Sequence, residues 1–499
     1  MTRPSSAPHT DGPDDWHHQS APMMAIRPIQ QLPSLIPVLL AVVFAGSAAP
    51  LFALGVSIIA VGAVSVIPWL TTEYQITDEH VRLRTGVLNR KVATARRDRI
   101  RSVDLTAGAL HRMLGLKKVV IGTGSDGGSV ELDCIAAPYA QAVHDYLMPT
   151  GAAALPADVA DPTATAVDAP PQVLARFRTD WLRFSPFSIG GFISVAAVLG
   201  FLSQFLFQGD VLDALRSTGT TVLHRIADAP VGLLVAIGAL IVIGGGALAS
   251  VGGYVLNYWN FLLARHSDGT LRTSRGLITT NSTSLDEKRV RGVHLHEPVL
   301  MRALGGARLF ALATGASKHP LLLPPAPRDE AVAVAGAVAS SAEELSVPLV
   351  PHGPAARRRR WTRAGLSTIP FAAIPVVAGG LGWLHGPTAI VLAALVVVAG
   401  IAVAPVRYRH LGSRVTDRLV IIARPSIARH RFLVNRDGIV GWQVRSSPFQ
   451  RRQGVATLVL ATAAGAEAYG LVDLTDDAVE SVMVGATPEL VRPFLVSTT

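Results

Sequence analysis

Three long stretches of this chain carry no Asp, Glu, Lys or Arg, and each is followed by a polar, arginine-rich stretch of domain size. The first uncharged run is Pro28 to Thr72. The second is split into Phe184 to Gly209 and Pro230 to Ala264. The third is Ala364 to Val406, with His385 its one group able to take a charge. A periodic chain is read first as an array of one unit. The alternation therefore predicts a membrane protein that carries three copies of one β-rich module.

Only 16% of residues are charged and the mean hydropathy is +0.39. The apolar residues are bunched, so membrane spans explain that figure better than a large soluble core. A helix needs about 20 apolar residues to cross a bilayer. The predicted spans are Leu32–Ala49 with Leu51–Leu70, Phe184–Gln208 with Pro230–Tyr254, and Ile369–Trp383 with Thr388–Pro405. The expected fold class is thus an α+β membrane protein, with six transmembrane helices in three hairpins alternating with three small β-barrel or sandwich domains, each closed by a C-terminal helix. Pro50 and the Trp383–Pro387 segment supply tight turns. The loop Gly209–Ala229 has apolar residues at helical spacing, which suits a helix on the outer membrane surface or a short packed helix equally.

The formal net charge of +10 would suggest nucleic acid in a soluble protein. Here the arginines flank the apolar runs, at Arg176, Arg178 and Arg183, at Arg357–Arg360 and Arg363, and at Arg407 and Arg409. That distribution fits the inner face of an anionic plasma membrane, with both termini and all three modules cytoplasmic. Lipid bilayer is the expected partner, alongside a protein in the membrane or cytoplasm, and nucleic acid is not expected. Cys134 is the sole cysteine, so there is no intrachain disulfide and no four-cysteine metal site. No cofactor is expected.

The expected boundaries are a disordered tail over 1–31, hairpins over 32–70, 184–254 and 364–405, modules over 71–149, 255–345 and 406–499, and linkers over 150–183 and 346–363. Module one contains VRLRTGVL from Val81, RRDRIRSVDL from Arg96 and LHRMLGLKKVVIGT from Leu110. Adding 190 to each number takes Gly86 to Gly276, Arg99 to Arg289, Arg101 to Arg291, Arg112 to Arg302 and Gly115 to Gly305. Adding 339 takes Arg112 to Arg451, Gly115 to Gly454, and Gly86 to Pro425. Val81-Arg82-Leu83-Arg84 alternates with period two, as a strand with one buried face does. Gly86 and Gly276 predict hairpin turns with positive φ, which Pro425 cannot adopt. Helix-like sequence closes each module at Ala137–Leu147, Arg328–Ser340 and Asp476–Val484.

The order of strand, Gly, Arg-Ile-Arg strand and Arg-x-x-Gly resembles the bacterial pleckstrin-homology (PH) domain. Its alternation with paired spans is similar to the YdbS/YdbT type of bacterial membrane protein, and Ser446 to Gly465 is the nearest match. The resemblance implies a seven-strand PH-like barrel capped by a helix, and no catalytic residues.

Candidate ligands for phosphate or peptide are Arg97, Arg99, Arg101, Lys288, Arg289 and Arg291, because guanidinium forks match phosphate oxygens. The plainer reading is a solvated strand face. The recurring Arg112, Arg302 and Arg451 are read as structural, holding a turn through backbone carbonyls. Arg357, Arg358, Arg359, Arg360 and Arg363, with Trp361, form an expected anionic-lipid patch. His294-x-His296-Glu297 lacks a third metal ligand at sensible spacing, and Gly122–Gly128 lacks the Lys-Ser/Thr of a phosphate loop. The spans hold no Asp, Glu, Lys or Arg at depth, which speaks against an ion-coupled path. The expected function is a non-catalytic membrane scaffold or binding platform for protein or anionic lipid, extending to envelope-stress defence. The alternatives are a six-span transporter or channel, and a membrane enzyme acting on lipid or peptide.

Overall fold

A computed structural model of the chain describes residues 16–18, 20, 69–86, 90–100, 102–122, 129–147, 170–187, 231–314, 320–339, 344 and 347–494. Their strands are β1 (His17–His18), β2 (Glu73–Ile76), β3 (His80–Thr85), β4 (Lys91–Arg96), β5 (Ser102–Ala107), β6 (Leu116–Gly122) and β7 (Ser129–Ala136). They continue with β8 (Gln172–Arg176), β9 (Leu262–Arg265), β10 (Thr270–Arg275), β11 (Thr280–Asp286), β12 (Val290–Glu297), β13 (Gly306–Ala313) and β14 (Leu321–Pro327). The last are β15 (Gly412–Val415), β16 (Leu419–Ala423), β17 (Arg429–Asn435), β18 (Ile439–Arg445), β19 (Ala456–Thr462) and β20 (Ala468–Leu474).

Each module is a three-strand meander followed by a second three-strand meander and a closing helix. The closing helices are Ala137–Leu147, Arg328–Ala339 and Asp476–Ala486. In β3 the alternation does what its period requires: Val81 and Leu83 are buried while Arg82 and Arg84 are partly exposed. Gly86 and Gly276 have φ of 107° and 113°. A Cβ on Gly276 would sit 1.9 Å from the Thr279 carbonyl oxygen, so only glycine fits. In module three the chain turns through Arg424-Pro425-Ser426 instead, and Arg407 Nε donates to the Pro425 carbonyl at 3.1 Å.

The modules are not separate barrels. The second meander of module one joins the first meander of module two in one seven-stranded sheet, ordered β7-β6-β5-β11-β10-β9-β8. Modules two and three share a six-stranded sheet, ordered β14-β13-β12-β17-β16-β15. The two seams, β5·β11 and β12·β17, are both antiparallel. Strand β16 reads LVIIA and is buried at every position. Leu419 and Ile421 belong to the core of module two, Val420 and Ile422 to that of module three. Such a continuous apolar run is what a strand covered on both faces needs.

The expectation of six transmembrane helices in three hairpins is overturned. Among the described residues one helix, Gly386–Arg409, is long and apolar enough to cross a membrane, with a mean hydropathy of 2.8 over its best window and 11% of that window buried. The architecture is dominated by four β-sheets. The helix before it, Gly353–Gly380, starts with the arginine run and is diluted by Pro370 and Pro375. Residues 32–68, 188–208 and 209–229 lie outside the described residues, and with them most of the first hairpin, the third span and its outside loop. Phe184, taken as the start of a span, is fully buried with Trp181 in the core of module two, on a 3₁₀ segment Thr179–Phe187.

Segments ahead of the helices also join the sheets. Within the tail read as disordered, β1 pairs with β2. Within the stretch read as linker, β8 pairs with β9. Val350 bridges Ser413 in module three.

Candidate functional site

The first seam carries two recesses. The larger, about 820 Å³, lies where the 3₁₀ turns after β4 and β11 meet. Its cations, Arg96, Arg97, Lys288 and Arg289, are set among Asp78, Glu79, Asp98, Asp268 and Asp286. The expected basic strand is thus a mixed-charge cleft. Arg97, Arg99, Lys288 and Arg289 lie on 3₁₀ turns, Arg97–Arg99 and Glu287–Arg289, while Arg291 lies on β12.

Most of the predicted phosphate ligands have internal work. Arg97 donates to the Tyr146 hydroxyl and to the Tyr146 carbonyl, each at 3.0 Å, and lies 4.1 Å over that ring. The Tyr146 hydroxyl in turn donates to Asp78 at 2.6 Å. Arg289 Nη1 donates 2.8 Å across the seam to the Ile100 carbonyl and pairs with Asp286 at 3.4 Å. The Arg291 side chain packs against Gly438, where an added Cβ would lie 3.1 Å away. Lys288 is exposed on the cleft. The Arg99 side chain and the whole of Arg101 lie outside the described residues.

The smaller recess, about 300 Å³, is on the other side of the same seam. Arg112, Lys117, Arg272 and Arg275 line it, and none of the residues lining it is acidic. It sits at the foot of the helix Val231–Tyr258. The Gly276 and Leu277 amides donate to the Trp259 and Leu256 carbonyls at 2.9 and 3.0 Å, which tucks the β10–β11 turn under that foot. Arg275 lies 5.3 Å over the Tyr258 ring. Four cations and no carboxylate thus line a recess beside the end of an apolar helix. Sequence reasoning missed Lys117, Arg272 and Arg275, because the recess forms only when two modules share a sheet.

Of the recurring residues, Gly115, Gly305 and Gly454 all have positive φ, at 67°, 74° and 60°. Each amide donates to the carbonyl of the Arg three residues before it. The arginine side chains do bind outward, but to the next module. Arg112 Nη1 donates 2.8 Å to the Leu277 carbonyl, and Arg302 Nη1 donates 2.7 Å to His410 Nε2. Arg451 is exposed.

The structure divides the polybasic patch. Arg357, Arg358 and Arg363 are exposed with Trp361. Arg359 and Arg360 turn inward, 4% and 1% exposed, and both pair with fully buried Asp473. Asp473 also accepts from Gln450 Nε2 at 2.8 Å. These two arginines serve packing of the helix on module three.

His294 and His296 do gain a third histidine, from the next module: His294 Nε2 lies 3.1 Å from His430 Nδ1, and His296 stacks on His430 at 4.3 Å. Burial, with His430 and Arg308 nearby, pushes His296 down to about 4, and burial also lowers His430. A second cluster had no signal in the sequence. His111, Asp133 and Cys134 place their ligand atoms within 4.8 Å of one another, a set able to hold a soft metal ion.

Residues 32–150 and 369–484 match the bacterial PH domain family. In these two segments the chain resembles a bacterial PH-domain membrane protein of the YdbS/YdbT type. It is 23% identical over 274 residues to UPF0699 transmembrane protein YdbT of Bacillus subtilis, spanning 53% of this chain and 54% of that relative. The chain thus covers about half the length of the curated relative it matches. No solved structure matches it.

Proposed function

We propose that this protein is a non-catalytic membrane protein whose fused PH-like modules form a binding platform at the inner membrane surface, with the basic recess at the first seam holding the headgroup of an anionic lipid. One observation carries the reading: four cations without a carboxylate, set beside the foot of an apolar helix. The relative named as a transmembrane protein supports membrane residence. So does the helical pair Gly353–Gly380 and Gly386–Arg409, whose Phe371, Ile374, Val377, Ile390, Leu395 and Val398 are 58–68% exposed, an apolar exposure water does not tolerate. Gly400 lies against Thr368, and Gly379 against Ala389, so small residues let the two helices touch closely. Arg357, Arg358, Arg407 and Arg409 gather at the end nearest the β-body, a distribution that supports a cytoplasmic position for that body. A protein partner would dock on the same body, and this scaffold role extends to envelope-stress defence.

The test is lipid carry-over. The full chain is purified in mild detergent from membranes containing anionic lipid, and bound lipid is read by native mass spectrometry. Lys117→Gln with Arg275→Gln should reduce retained anionic lipid about tenfold, with an unchanged melting temperature. Equal retention by the variant and the parent would remove the recess from the account.

A further inference from the structure

The two seams use one register. In the first, Ser102 pairs with Leu285 and Ala107 with Thr280. In the second, Gly292 pairs with Val434 and Glu297 with Arg429. The 190 and 339 offsets make Ser102 equivalent to Gly292 and Leu285 equivalent to Val434. The same joint is therefore built twice, from the first strand of one module's second meander and the last strand of the next module's first meander.

Each of those strands has a third copy that is left over. β18 stands in module three where β5 and β12 stand, and β4 stands in module one where β11 and β17 stand. Both are edges: the sheets run β18-β19-β20 and β1-β2-β3-β4, and among the described residues nothing pairs with the outer side of either. Both edges show apolar side chains, with Val92 53%, Val440 69% and Val444 54% exposed. The forward-reaching arginine repeats the pattern. Arg112 and Arg302 each bond to the next module, while Arg451, on the module that carries β18, is exposed.

The geometry points to head-to-tail self-association: β18 of one copy adds to β4 of a second copy of this chain, continuing the joint already used twice within the molecule. An unpaired, apolar edge is a template for strand addition. The occupant is a second copy because the complementary edge is on this chain, at its other end. The shared register sets Gly441 opposite Ala95, Val444 opposite Val92 and Arg445 opposite Lys91. The valine pair adds apolar contact. The Arg445/Lys91 pair repels, so the contact strengthens as salt screens it. Head-to-tail contacts are heterologous and make rings or open rows according to the rotation between copies.

The experiment is crosslinking of the full chain in native membranes. Directly opposed residues have Cα atoms about 4.5–5.5 Å apart, within the range a disulfide spans after mild oxidation. Val92→Cys with Val444→Cys should give a ladder of covalent multimers, and either single variant should give monomer, since Cys134 is buried. Adding Val440→Lys to the double-cysteine chain should reduce the ladder at least tenfold while the protein stays folded. No ladder, a ladder of equal strength from either single variant, or an adduct of the mass of a different protein would each overturn the proposal.

Discussion

Asp473 shows how one side chain sets the meaning of several others. It is fully buried, has φ of 62°, and accepts from Arg359, Arg360 and Gln450. Two guanidinium groups inside protein need a counter-charge, and removing one partner of a buried pair strands the others. Asp473→Asn should therefore destabilise the protein by ~3–5 kcal/mol, measured by denaturant melts in detergent micelles. Exposed Arg358→Gln should change stability by less than about 0.5 kcal/mol in the same assay. An arginine run in sequence has uniform appearance, and only its place on the helix decides which members face Asp473.

At the scale of elements, the seams depend on close backbone approach. Gly292 is the first residue of β12 paired with β17 on the second seam; its φ is 155°, and a Cβ there would sit 2.0 Å from the Leu433 carbonyl oxygen. Its equivalent on the first seam is Ser102, so this glycine belongs to the local fit of β12 on β17 and not to the shared pattern. Gly292→Val should cost on the order of 1–3 kcal/mol from backbone strain alone. It should also raise hydrogen exchange in Arg429–Asn435 while leaving β6 and β7 protected. The sequence marked strands, turns and closing helices well, because period-two alternation and positive-φ glycines are local signals. It misplaced Phe184, because an aromatic buried under a sheet and one entering a bilayer carry the same hydropathy.

For the whole molecule, the second seam is a histidine joint. His294, His296 and His430 meet there, and His410 accepts from Arg302 while donating to the Ser426 carbonyl. That arrangement needs His410 neutral at Nε2, and burial lowers its pKa in agreement. The ordinary histidine value is 6.5, and in the folded protein His296 lies near 4. Between those values the unfolded chain binds a proton that the folded chain excludes, so stability is full above pH 6.5 and declines as pH falls toward 4. Thermal melts from pH 7.5 to 4.5 should show the transition falling by several degrees. His296→Phe should flatten that dependence. An unchanged slope in the variant would assign the acid sensitivity elsewhere.

By itself the amino-acid order determined the threefold repeat, the turns, the short capped helices and the PH-like unit, since each is written within a few neighbouring residues. Tertiary structure alone decided that the units fuse through β5·β11 and β12·β17, that Arg359 and Arg360 are buried, and that Lys117, Arg272 and Arg275 converge with Arg112. Strand edges are joined by backbone groups that every residue carries, so no side-chain pattern announces which edge meets which.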